Sequence, residues 1–166
     1  LTLWGIANIT EELYPNNIII EGEGTKVVVT IAEAGTLGEE VLKQVNSLAD
    51  VNHLTVSGTI NATDIESIKN SSPNLITLDL SGVNMKDIPN GFMSGKTSFT
   101  QVVLPSNAET IGENAFNNCE RMKEITLPES VKEIKYSAFY NTALSTIVLP
   151  EGLTRLGSYV FGACYY

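Results

Sequence analysis

His53 is the single histidine of the sequence, and at neutral pH a histidine is the natural partner of a hydroxyl nucleophile or a metal ion. The hydroxyls of Thr55, Ser57 and Thr77 fall near it once the strand pattern described below is laid out. Asp79 then stands diagonal to it on the next strand, about 7–8 Å away between Cα atoms. A catalytic triad further needs the base within hydrogen-bond reach of an activated nucleophile, and an oxyanion hole. No strained G-x-S-x-G turn occurs, so the chain is read as not an enzyme, with His53 a solvated residue on a sheet face.

The other reactive groups point the same way. Cys119 and Cys164 hold the same place in units two repeats apart, with Thr142 at that place between them. Two strand spacings separate them by about 10 Å, beyond the roughly 7 Å reach of a disulfide. Two free thiols packed as small apolar groups are expected. No C-x-x-C or histidine cluster accompanies them, so no metal site is expected. Gly22-Glu23-Gly24 lacks a third spaced glycine and a following helix, which disfavours a phosphate cradle. The acids form no EF-hand ligand string, and no cofactor is implied. The sequons at Asn8, Asn61 and Asn70 are matches that Asn-rich loops produce by chance.

Charge excludes further classes. Against 10 Lys plus Arg stand 19 Asp plus Glu, a net charge of −9, and nucleic acid demands a basic footprint instead. The acidity is concentrated in residues 1–83, with 11 acids and 3 bases. No apolar run approaches the roughly 20 residues of a membrane span. The start has neither an initiator Met nor a basic and apolar leader, so the chain is read as a processed or excised piece.

The elements that carry these residues repeat. VVLPSNAETIGENAFNNC, ITLPESVKEIKYSAFYNT and IVLPEGLTRLGSYVFGAC align on Leu-Pro pairs beginning at Leu104, Leu127 and Leu149, a nearly constant spacing. LDLSG at 78–82 and LTVSG at 54–58 hold the same place in the two units before these. VTIAE at 29–33 is placed one unit earlier still, with Val29 aligned on Leu54. Five units carry L-x-x-L-x-L: Val51-Leu54-Val56, Leu75-Leu78-Leu80, Phe99-Val102-Leu104, Met122-Ile125-Leu127 and Leu144-Ile147-Leu149. That pattern predicts short parallel strands whose alternate residues enter a shared core. Ile111, Ile134 and Leu156, with the pairs Ala115-Phe116, Ala138-Phe139 and Val160-Phe161, are expected to return to the interior. Residues 38–48 and 64–70 have helical spacing, each with an expected capping box, Thr36 with Glu39 and Thr63 with Glu66. Later returns are richer in Gly, Pro and Asn and read as turns or short strands.

The fold class that follows is an α/β repeat. It is a right-handed leucine-rich-repeat solenoid with a parallel sheet on the concave face, helical returns in early units and turn-like returns in later units. Its six units span residues 26–166, the last incomplete. Residues 1–25 are read as an N-terminal cap or hairpin around Gly22–Thr25, with Trp4, Leu13 and Tyr14 roofing the core. Outward positions are expected to run Val28, His53, Thr77, Gln101, Glu124, Thr146 in one column and Thr30, Thr55, Asp79, Val103, Thr126, Val148 in the next. A third column would run Ala32, Ser57, Ser81, Pro105, Pro128, Pro150. His53, Thr77, Asp79, Gln101 and Glu124 are the candidate binding residues.

The recurring LPxxVxxIxxxAFxxC resembles the BspA-type leucine-rich repeat, the LRR_5 class of bacterial and protist surface proteins. The earlier AEAGTLGEEV, LTVSGTINATDIESI and LITLDLSG are similar to the entry repeats of such proteins. The resemblance implies an extracellular or cell-surface, non-catalytic module for adhesion or protein binding. Its ligand would be a protein or glycan on a host or neighbouring cell. The alternatives are a structural spacer within a larger surface protein and, less favoured by the residues, an enzyme or enzyme inhibitor. An uncapped last unit would also permit edge-to-edge self-association.

Overall fold

The computed structural model describes residues 24–164 together with the two-residue strand β1 (Ile20–Glu21). The contacts expected of Trp4, Leu13 and Tyr14 lie outside the described residues. The first half is built of long strands and helices in alternation. These are β2 (Gly24–Ile31), α1 (Leu37–Leu42), a 3-10 turn at Leu48–Asp50, β3 (Val51–Gly58), α2 (Ala62–Ser71) and β4 (Thr77–Val83). The second half has only short strands: β5 (Asp87–Ile88), β6 (Gln101–Val103), β7 (Thr110–Ile111), β8 (Glu124–Thr126), β9 (Glu133–Ile134) and β10 (Arg155–Leu156).

Two sheets result. The long one runs β1-β2-β3-β4-β6-β8, parallel throughout except for the antiparallel β1–β2 pair. The short one runs β5-β7-β9-β10, all parallel. The coils carrying β4–β5, β6–β7 and β8–β9 thus contribute one strand to either side of a common core, the last coil contributes β10 alone, and the turn-like returns are themselves a ladder. The core is continuous from Val27 to Val160. At its centre Phe92, Phe116 and Phe139 are fully buried. The Phe116 and Phe139 rings stack at 5.5 Å, Phe139 and Phe161 at 5.8 Å, and Phe92 meets Phe116 edge-on at 5.8 Å. Phe92-Met93 opens this spine one coil before the Ala-Phe pattern begins.

The turns need a left-handed backbone at two places per coil. Gly91, Asn114, Ser137 and Tyr159 form one series, and Gly95, Asn118, Asn141 and Ala163 the other, all at positive φ. Gly and Asn tolerate that region best, and five of these eight positions hold one of them. In the first half the same demand falls on Gly58. Its φ is +92°, and a Cβ there would lie 2.2 Å from the carbonyl oxygen of Ile31.

Several expectations are corrected. Val27, not Val29, pairs with Leu54, so the first unit is two positions longer than the sequence alignment suggests. The first outward column therefore begins at Lys26 and the second at Val28, while Thr30, Ser57 and Gly82 form the third after an irregularity in β3–β4. The helix α1 stops at Leu42, and Thr36 makes no side-chain cap; its hydroxyl donates to the carbonyl of Glu33. The helix α2 starts earlier, capped by Asn61 and Asp64 rather than Thr63 and Glu66. Asp64 is buried, and its carboxylate accepts from the backbone N–H groups of Gly35 (2.7 Å), Leu37 (2.9 Å) and Asn61 (2.8 Å), tying both helix starts together. Residues 146–148 lie outside any strand, and Leu149 and Leu156 are 40% and 52% exposed rather than interior.

Three substitutions check this packing by chemical denaturation. Phe116→Ala or Phe139→Ala is expected to cost about 3–5 kcal/mol through the cavity left in the spine. Asp64→Ala is expected to cost about 2–4 kcal/mol, because three backbone donors lose their acceptor together.

Candidate binding face

The outward face of the long sheet collects the candidate residues. Lys26, His53, Thr77, Gln101 and Glu124 stand in register on β2, β3, β4, β6 and β8. Val28, Thr55, Asp79, Val103 and Thr126 form the adjacent column. At about 4.8 Å per strand each column runs about 19 Å. The first is cationic at one end and anionic at the other.

His53 Nδ1 lies 2.8 Å from Thr77 Oγ1, joining neighbouring strands side chain to side chain. Asp79 Oδ1 accepts from the backbone N–H of Ser81 at 2.8 Å, so this carboxylate braces its own strand at the irregularity of the β3–β4 pairing. Ser57 Oγ is 2.9 Å from Thr30 Oγ1. These hydroxyls bridge strands. His53, Thr77 and Asp79 are half-buried, whereas Gln101 and Glu124 are exposed and present polar ends to solvent. The strand pattern therefore brings all five candidates onto one face, with the freest side chains at its β6–β8 end.

The cysteines sit in the turns. Both are free. Cys119 is buried with Sγ 3.1 Å from the Met93 carbonyl, and burial pushes its thiol up to about 12, so it stays protonated. Cys164 is half-buried, 3.3 Å from both Thr142 Oγ1 and the Phe139 carbonyl. Lys96, in the equivalent place one coil before Cys119, donates to the Ser72 carbonyl at 2.7 Å, and desolvation lowers its pKa. The place serves in each case to satisfy a carbonyl of a packed turn. Among the described residues no three His, Cys, Asp or Glu gather as metal ligands.

One functional-looking group escaped the sequence reading. Glu109 reaches Lys86 (2.9 Å) and Lys132 (2.7 Å), one coil to either side, beside the short sheet. The two equal offsets along the sequence would have revealed it, had charges been tracked along the repeat as apolar residues were. Hydrogen bonds from the two ammonium groups hold Glu109 down at about 2.

Comparison with known proteins agrees with this architecture. The description "BspA type Leucine rich repeat region" matches residues 86–166. A leucine-rich repeat protein of T. pallidum is 32% identical over 54% of this chain and 44% of that one, with a TM-score of 0.51. One from Eubacterium ventriosum is 29% identical over 69% and 30%, with a TM-score of 0.54. One from Bacteroides ovatus, 22% identical over 82% and 34% with a TM-score of 0.56, shares the fold. The chain spans less than half the length of each of these structures. No curated protein matches significantly.

The ion pairs make a pH prediction. Because the folded pKa of Glu109 is depressed, its contribution is present above the ordinary carboxylate value and lost as pH falls from about 4.5 to about 2. Thermal melts across that window are expected to show a smaller loss of Tm in Glu109→Gln than in the parent chain. Equal losses would refute the assignment.

Proposed function

We propose, from the premise that residues 86–166 are a BspA-type leucine-rich repeat region, that this chain is a non-catalytic protein-binding module of a secreted or cell-surface bacterial protein. Its binding face is the outward side of the long sheet, and adhesion to a host or neighbouring cell is its role. The observation that carries this reading is the register of His53, Thr77, Gln101 and Glu124 across four adjacent strands. Repeats that stack in one dimension place equivalent side chains on a single extended surface, which suits a broad protein partner better than a small substrate. Surface localisation rests on the likeness of the repeat to those of bacterial surface proteins. Among the described residues no helix is long and apolar enough to cross a membrane.

The polar contacts of the face brace its own strands. His53 is hydrogen-bonded to Thr77, and Asp79 is bonded to its own chain at Ser81. A second reading has one observation in its favour. Because the chain spans less than half of the solved structures it resembles, it can serve as a spacer that sets the reach of other modules.

Biolayer interferometry against immobilised host matrix proteins separates the two. Saturable binding is expected, weakened about fivefold or more by Gln101→Ala or Glu124→Ala. Failure to bind any matrix protein would favour the spacer, and binding indifferent to both substitutions would move the site off this face.

A further inference from the structure

Away from the long sheet, a groove opens over the turns of the last coils, lined by Asn114, Asn117, Tyr136, Ser137, Tyr140 and Tyr159. Three of the six tyrosines of the sequence meet here, and none of the lining residues carries a charge. Tyr136 and Tyr159 are 48% and 67% exposed, with ring centroids 6.0 Å apart and planes at 77°. Two large rings are thus held edge to face at the surface, with about half of Tyr136 and two thirds of Tyr159 open to solvent.

The position of Tyr159 comes at a conformational cost. Tyr159 has a φ of +57°, in the series whose earlier members are Gly91, Asn114 and Ser137. A bulky residue in the left-handed region is an outlier, and such outliers gather at ligand sites. Tyr140 lies over Gly162, where a Cβ would meet the ring Cδ2 at 2.8 Å, so Gly162 makes room for that ring. Asn117 Nδ2 donates to Asn114 Oδ1 at 2.9 Å. Whichever way the two amides are turned, this bond leaves one amide donor group and one amide oxygen of the pair without a further partner among the described residues.

Aromatic faces beside an amide donor and acceptor, without charge, complement a sugar ring. The apolar C–H face of a pyranose lies on a tyrosine, and its neighbouring hydroxyls both donate and accept. We propose that this groove binds a neutral oligosaccharide, at a site distinct from the protein-binding face of the long sheet. An ionic ligand would find no countercharge among the lining residues.

Ligand-observed NMR of the whole chain with cellotriose, maltotriose and N,N′-diacetylchitobiose tests this. At least one sugar is expected to give saturable transfer, weakened about tenfold by Tyr136→Ala. Tyr159→Gly removes a ring while relieving the left-handed backbone, so it is expected to lose binding with an unchanged or higher Tm. The proposal is overturned if none of the three sugars saturates, or if Tyr159→Gly binds as the parent does. Saturation by a sulfated or sialylated probe alone would overturn it too. Matrix-protein binding reports on the long sheet and is expected to survive both tyrosine substitutions, so the two sites fail or stand separately.

Discussion

Every coil of this protein depends on hydrogen bonds that only the next coil can complete. A two- or three-residue strand has no partner within its own turn, and its apolar side chains have nothing of their own to pack on. Parallel pairing at a nearly constant step along the sequence satisfies both needs at once, since the donors that meet Thr100, Glu109 and Lys132 all come from the following unit. The same step aligns the phenylalanine spine, the left-handed turn positions and the outward columns. Change its length and all three lose register together.

Much of this was legible because the later coils repeat their chemistry as well as their spacing. The Leu-Pro pairs and the Ala-Phe pairs mark strand end and core centre, and Phe116 and Phe139 lie where that reading put them. The first strand was not legible to the same degree. Val27, Val29 and Ile31 are all buried, so a slip of two positions keeps every side chain on its own face while exchanging its neighbours. Hydropathy is blind to such a slip. What decides it is the length of the return through α1, together with Asn52 Oδ1 accepting from the Thr25 N–H at 2.9 Å.

Helix starts failed for a related reason. Thr36 with Glu39 and Thr63 with Glu66 have the right letters, but Asp64 commands a buried position between two chain segments and serves three donors. A local motif loses to a tertiary one when the latter satisfies groups that solvent cannot reach. The five candidates were brought to one face by alternation alone. The tyrosine groove was not foreseen, because its three tyrosines occupy three different offsets in two successive coils and meet only when the turns are stacked.

Strand length falls along the chain, from eight residues in β3 and seven in β4 to three in β6 and β8 and two in the short sheet. The bonds between coils point along the stacking direction, so tension applied that way loads them in series. Such a stack opens at its least fastened junction and yields one coil at a time, as a zipper does, instead of shearing all at once. The early coils form a stiff root and the later ones a compliant tip. Under such a load the later coils would part and re-form while the earlier ones stay closed.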